Sequence, residues 1–159
     1  MTTMTANRTA TFHVEASAVI NARPEALHAI IADYKVAHPA ILPKPYFTEL
    51  TVEQGGFGAG TVVRVAVNMW GQEFRYHQIV SEPEPGRTLV ETDLDTGQYT
   101  TFTFELVNGN QTRLTIASEF PSGPGIAGWI QRVTQPFVVR RLYQQELRNI
   151  ADYVQGAAN

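Results

Sequence analysis

The sequence predicts an α+β fold. Its parts are a curved seven-stranded antiparallel sheet, two short helices after the first strand, and a long C-terminal helix closing a hydrophobic cavity against the sheet. Three observations carry that reading. A period-two hydrophobic pattern runs from about 46 to 120, broken at short intervals by glycine-containing turns. A helical pattern occupies the region just after the first strand. Beyond 120, one segment from about Pro124 to Val154 is long enough to cover a sheet, roughly 45 Å at about 1.5 Å per residue.

Residues 1–10 read as a disordered tail and 11–156 as one domain, a size that supports a real core. From Phe12 to Ile20, Phe12, Val14, Ala16, Ala18 and Ile20 share one face, while His13, Glu15 and Ser17 take the other. Asn21 to Glu25 reads as a helix start, with Pro24 in the first turn where its missing N–H is harmless. Leu27, Ile30, Ile31 and Tyr34 give that helix a buried face. Pro39, Pro43 and Pro45 then restrict the chain to a short turn around 36–42.

Six more strands come next as hairpins, with turns at Gly55-Gly56, Trp70-Gly71, Pro85-Gly86, Thr96-Gly97 and Asn108-Gly109. Inward faces are predicted for Val63, Val65, Val67 and Met69, for Phe74, Tyr76, Gln78 and Val80, for Phe102, Phe104 and Leu106, and for Leu114, Ile116, Ser118 and Phe120. On the long helix, Ile126, Trp129, Ile130, Val133 and Phe137 form one apolar stripe, and Val139, Tyr143, Leu147, Ile150 and Val154 a second, out of phase with it. Pro136 lies where they change, so a bend is expected around Gln135-Pro136, a common way for a covering helix to leave room beneath it.

Composition excludes several functions. Charged residues make up 17% of the chain and the net charge is −3, so neither a nucleic-acid nor an anionic-membrane surface is expected as the main partner. There is no cysteine, which removes disulfides, thiol nucleophiles and Cys-ligated metals and suits a cytoplasmic setting. No apolar run approaches the roughly 20 residues of a membrane span, and the opening residues lack a secretory signal.

The chemically suggestive motifs give way to plainer readings. The run Gly55 to Gly60 enters a strand, whereas a phosphate-cradling loop opens a helix. His13, His28, His38 and His77 show no ligand spacing, so neither a metal nor a cofactor is expected. Glu91, Asp93 and Asp95 alternate along one strand and read as a solvated row, because Val90, Thr92 and Leu94 suit the inner face better. Glu146 and Asp152, among Arg132, Arg140, Arg141 and Arg148, read as a solvated helix face.

There remains an aromatic, largely apolar interior. Trp129, Val133 and Phe137 are expected to face Phe74, Tyr76, Phe102 and Phe104, with Tyr76 and Gln78 orienting a ligand and Tyr34 and His38 at the mouth. These ten residues are the candidate ligand-binding set.

The local text resembles the SRPBCC superfamily, in its polyketide cyclase/dehydrase and lipid-transport branch. The matching stretches are Val14 to Ala22 with Pro24-Glu25, Ala32-Asp33-Tyr34, Gly55 to Thr61, and Glu82 to Leu89. His28 departs from the tryptophan many relatives carry, and the loop His38 to Pro43 lacks their Trp-x-Pro. The resemblance implies a helix-grip fold around a cavity for an apolar or aromatic molecule or a lipid. It also implies three alternative functions: binding or transport of such a ligand, cyclase or dehydratase chemistry without a metal, and a protein-interaction domain like the chaperone-activating relatives. No protein partner is indicated.

Overall fold

The computed structural model describes residues 10–69 and 71–157. The expected disordered tail, 1–10, lies outside them except for Ala10. Element order is β1 (Thr11–Ile20), α1 (Pro24–Ala32), α2 (Ala37–Ile41), β2 (Phe47–Gln54), β3 (Val62–Met69), β4 (Gln72–Ser81), β5 (Thr88–Asp93), β6 (Tyr99–Asn108), β7 (Gln111–Pro121) and α3 (Gly125–Ala157).

The seven strands form one antiparallel sheet in the order β1-β7-β6-β5-β4-β3-β2. β2 to β7 is a plain meander, and β1 closes it by pairing with β7, Val14 opposite Ser118 and Ala18 opposite Leu114. One face of this curved sheet holds the core. Val14, Val63, Leu89, Phe102, Leu114 and Ile116 are all buried there, with Leu147 and Ile150 of α3 above them.

The connection from β1 to β2 is built by short-range chemistry. α1 begins with Pro24 and buries Leu27, Ile31 and Ala32. Asp33 then accepts the backbone N–H groups of Lys35 and Val36, both at 3.1 Å, and of Ala37 at 3.3 Å. Its carboxylate thereby satisfies donors at the start of α2 that have no partner within the helix.

The Gly55–Gly60 loop is a latch. Gly56 donates to Thr61 Oγ1, Gly58 to the Ala32 carbonyl, Ala59 to Glu82 Oε2 and Gly60 to the Val80 carbonyl. Its amides are therefore spent on the protein itself, as a structural loop requires. At Gly58, where φ is +61°, an added Cβ would stand 2.7 Å from Glu82 Oε2, so glycine is needed for backbone shape and for space. Glu82 also meets His28 Nε2 at 2.5 Å, which ties α1 to the end of β4.

Two expectations are overturned. On β5 the inner face carries Leu89, Glu91 and Asp93, while Leu94 is exposed. Pairing decides this: Leu89 stands opposite Phe102 and Glu91 opposite Thr100, and partners across a ladder project to one side. On α3 the helix runs unbroken through Pro136. Val139, Tyr143, Leu147 and Ile150 hold its C-terminal half to the core, whereas ahead of them only Gly128 of α3 is buried. Trp129 (59% exposed), Val133 (44%) and Phe137 (67%) lie on that earlier half and are exposed, not packed on the sheet. Leu106 is likewise exposed, near the end of β6.

The contrast between the two faces is measurable by urea denaturation. Ile116→Ala should cost about 2–5 kcal/mol, whereas Ile126→Ala, at a side chain 81% exposed, should stay within about 0.5 kcal/mol. A loss at 126 equal to that at 116 would contradict the outward-facing stripe.

Candidate functional site

A cavity of about 100 Å3 lies between the inner sheet face and the middle of α3. Aromatic rings from six elements or their flanks line it: Tyr34 after α1, Phe47 on β2, Tyr76 on β4, Phe102 on β6, Phe120 on β7 and Tyr143 on α3. Leu50, Val65, Val67, Met69, Val139 and Leu142 supply aliphatic wall. Of the ten candidates read from sequence, Tyr34, His38, Tyr76, Gln78 and Phe102 are brought together here. Phe104 is buried to one side, its ring 5.6 Å from that of His28, and Phe74 is half-buried on β4. Neither lines the cavity, and the outward α3 residues Trp129, Val133 and Phe137 do not either.

Polar chemistry gathers at one end. Tyr34, almost wholly buried, donates its hydroxyl to Glu91 Oε1 at 2.6 Å. His38 stacks on the Tyr34 ring with centroids 4.4 Å apart. Its Nδ1–H donates to the Ile31 carbonyl at 2.6 Å, which orients Nε2 toward Glu91 Oε1, 3.6 Å away. A second chain of hydroxyls joins Thr100 to Ser118 at 2.6 Å and Ser118 to Tyr143 at 2.5 Å. Burial raises the Tyr34 and Tyr143 hydroxyls above the usual phenol range, and for Tyr34 the charge of Glu91 adds to it, so both remain protonated donors.

Glu146 completes the group and was not expected here. It is 3% exposed, lines the cavity, and its Oε1 has no hydrogen-bond partner among the described residues. Burial, reinforced by the negative charge of Glu91, pushes its carboxyl up to about 8. At neutral pH Glu146 is therefore mainly a neutral acid with a proton to donate. The two acids share a cavity in unlike settings: Glu91 is held by Tyr34, while Glu146 lacks comparable support.

Glu91 was read as surface because hydrophobicity alone assigned the faces of β5. Glu146 did carry a sequence signal. It falls three residues after Tyr143 and four before Ile150, inside the helical stripe that packs on the core. Ser118 gave a similar signal as the polar member of an apolar strand face. Asp93, also buried, is spent locally: it accepts the His77 and Thr96 amides at 2.9 and 3.0 Å and the Thr96 hydroxyl at 2.7 Å, shaping the β5–β6 turn. Asp95 is exposed. No helix among the described residues is long and apolar enough to cross a membrane, and no three of their His, Asp or Glu side chains are placed to hold a metal ion.

The raised Glu146 carboxyl links folding to pH. The folded protein keeps a proton that the unfolded chain releases near 4.5, so the destabilisation is absent below about 4.5 and grows until pH reaches about 8. Glu146→Gln should therefore gain stability over the native protein as pH rises from 5 to 8, by an amount on the order of 3 kcal/mol. Parallel urea titrations across that range check it, and a difference that does not vary with pH would refute it.

Comparison with solved structures finds the same fold repeatedly. The KanY protein aligns with a TM-score of 0.80 at 22% identity, over 92% of this chain and 99% of its own. The Zhui aromatase/cyclase from Streptomyces sp. R1128 aligns with a TM-score of 0.76 at 16% identity, over 94% and 97%. Norcoclaurine synthase from Thalictrum flavum, solved with dopamine and hydroxybenzaldehyde, aligns with a TM-score of 0.70 at 14% identity, over 93% and 88%. No curated protein sequence matches the chain significantly. The model of one sequence family matches residues 11–155, the whole sheet and nearly all of α3, and by that match the chain belongs to the polyketide cyclase/dehydrase and lipid transport family.

Proposed function

We propose that the protein binds a small, largely aromatic molecule in the cavity beneath α3. The observation that carries this reading is the lining: six aromatic rings and an aliphatic wall around about 100 Å3, with the polar groups Tyr34, Gln78, Glu91, Tyr143 and Glu146 facing the same space. Ligand pockets are built this way, with apolar walls supplying affinity and a few placed polar groups fixing orientation. The volume suits a ligand with about one ring enclosed, since an engineered apolar cavity of about 150 Å3 holds benzene. Tyr76 and Gln78 orient the ligand from β4, and Tyr34 and His38 from the helical side. The likeness to an aromatase/cyclase and to a synthase solved with two aromatic compounds is compatible with such a ligand.

A second reading, a cyclase or dehydratase, is favoured by one specific observation. Glu146, its carboxyl pushed up to about 8, faces the same cavity as Glu91, and two carboxyls in unlike settings can divide acid and base duties. In that reading Tyr34 and His38 hold the Glu91 carboxylate in position. Turnover of a polyketide-like test substrate should then fall by about 10²–10⁴-fold in Glu146→Gln. Unchanged turnover would remove the acid from the mechanism.

Filling the cavity tests the binding reading directly. Val67→Phe places a ring into the space from β3 and should weaken binding of single-ring aromatic probes by more than about tenfold, each lost factor of ten being about 1.4 kcal/mol. Calorimetric titration of native and variant protein, with circular dichroism to confirm folding, reads the outcome. Equal affinity in both proteins would place the ligand elsewhere.

A further inference from the structure

Among the residues that line the cavity there are two carboxyl groups, Glu91 and Glu146, and neither lysine nor arginine. The titratable groups that share the cavity with Glu146 are Glu91 of β5, His38 of α2, Tyr34, Tyr76 of β4 and, on its own helix, Tyr143. Tyr34 spends its hydroxyl on Glu91 and Tyr143 is bonded to Ser118. His38 spends Nδ1–H on a carbonyl, and its Nε2 lies toward Glu91. Among the described residues no lysine or arginine of the lining thus offsets Glu146, whose buried Oε1 is left without a partner. An unsatisfied buried polar atom is expensive, and natural structures retain few of them. Six aromatic side chains line the same space, and aromatic faces attract cations.

We propose that the ligand is a small aromatic amine, bound as its ammonium ion, with its ring among Tyr76, Phe102 and Phe120 and its nitrogen against Glu146 and Glu91. This names the class of ligand for the binding reading above and rests on it. An ammonium group supplies both things that Glu146 lacks, a donor for its unpartnered oxygen and a positive charge beside it and Glu91. Protons are conserved in the exchange. Below pH 8 the free protein carries Glu146 mainly as the neutral acid, and the arriving ammonium ion stabilises the carboxylate, so one proton leaves to solvent for each amine bound. A neutral ligand that accepts a hydrogen bond from the Glu146 acid would behave oppositely, releasing no proton and losing affinity as the acid ionises.

The test compares benzylamine with benzyl alcohol, probes of nearly the same shape, by calorimetry on the full chain between pH 6 and 8 in buffers of differing ionisation enthalpy. Benzylamine should bind at least tenfold more tightly than the alcohol at pH 7.5. Its affinity should rise by up to about tenfold per pH unit below 8, with release of close to one proton. Glu146→Gln should abolish both the preference for the amine and the proton release. Glu91→Gln provides an independent variant should the first fail to fold, and it should weaken the amine more than the alcohol. Alcohol binding equal to or tighter than amine binding, or amine affinity that does not change with pH, would overturn the amine assignment while leaving an aromatic ligand in place. If neither probe binds, the single-ring aromatic reading falls, and the amine assignment with it.

Discussion

Val139, Tyr143, Leu147 and Ile150 press α3 onto the inner face of the sheet, and their burial sets the rotation of its C-terminal half. An α-helix transmits rotation rigidly, so this seam dictates which residues of the C-terminal half of α3 face the sheet. Glu146, lying within the seam, is carried into the interior despite its charge. The apolar stripe from Ile126 to Phe137 lies on the half of the helix ahead of the seam and stays outside the core. Removing the aliphatic seam would therefore disturb the cavity and its acid together.

The position of Glu146 is costly, and the fold tolerates it because the acid can keep its proton. An ionised carboxyl without a partner in an aromatic cavity would oppose folding strongly, whereas the neutral acid opposes it much less. Glu91 is treated differently. The Tyr34 hydroxyl is bonded to it and His38 is oriented toward it, and both depend on the turn that Asp33 organises between α1 and α2. The polar end of the cavity is therefore assembled from distant parts of the chain. One acid is positioned by the helical connection after β1, the other by the phase of α3.

The glycine loop and the His28–Glu82 contact secure that connection from the other side. Gly58 donates to Ala32 and the Tyr34 amide donates to Gly56, so the backbone around Tyr34 is held by the loop before β3. Glu82 is drawn two ways. Burial works against its charge, but the Ala59 amide and His28 outweigh this and hold its carboxyl below the usual range. The His28–Glu82 contact is thus a polar tie between α1 and the end of β4 rather than part of the cavity lining.

Local pattern was enough for the architecture. Alternation in β1 and β7 survives because each has a clearly apolar face, and the turn glycines mark the hairpins regardless of their surroundings. The placement of Tyr34, Tyr76, Gln78 and Phe102 on inward faces was legible for the same reason. Two features were not. β5 is short and has apolar residues on both faces, so only its pairing with β6 could turn Glu91 inward. The phase of α3 depends on which of two competing stripes wins the sheet, a comparison of buried areas between elements far apart in sequence. The sequence by itself determined the elements, their order and most strand faces, because those arise from steric and hydrophobic periodicity within a few residues. Only the tertiary structure decided where the two acids meet, because register and helix rotation are set by packing across the whole domain.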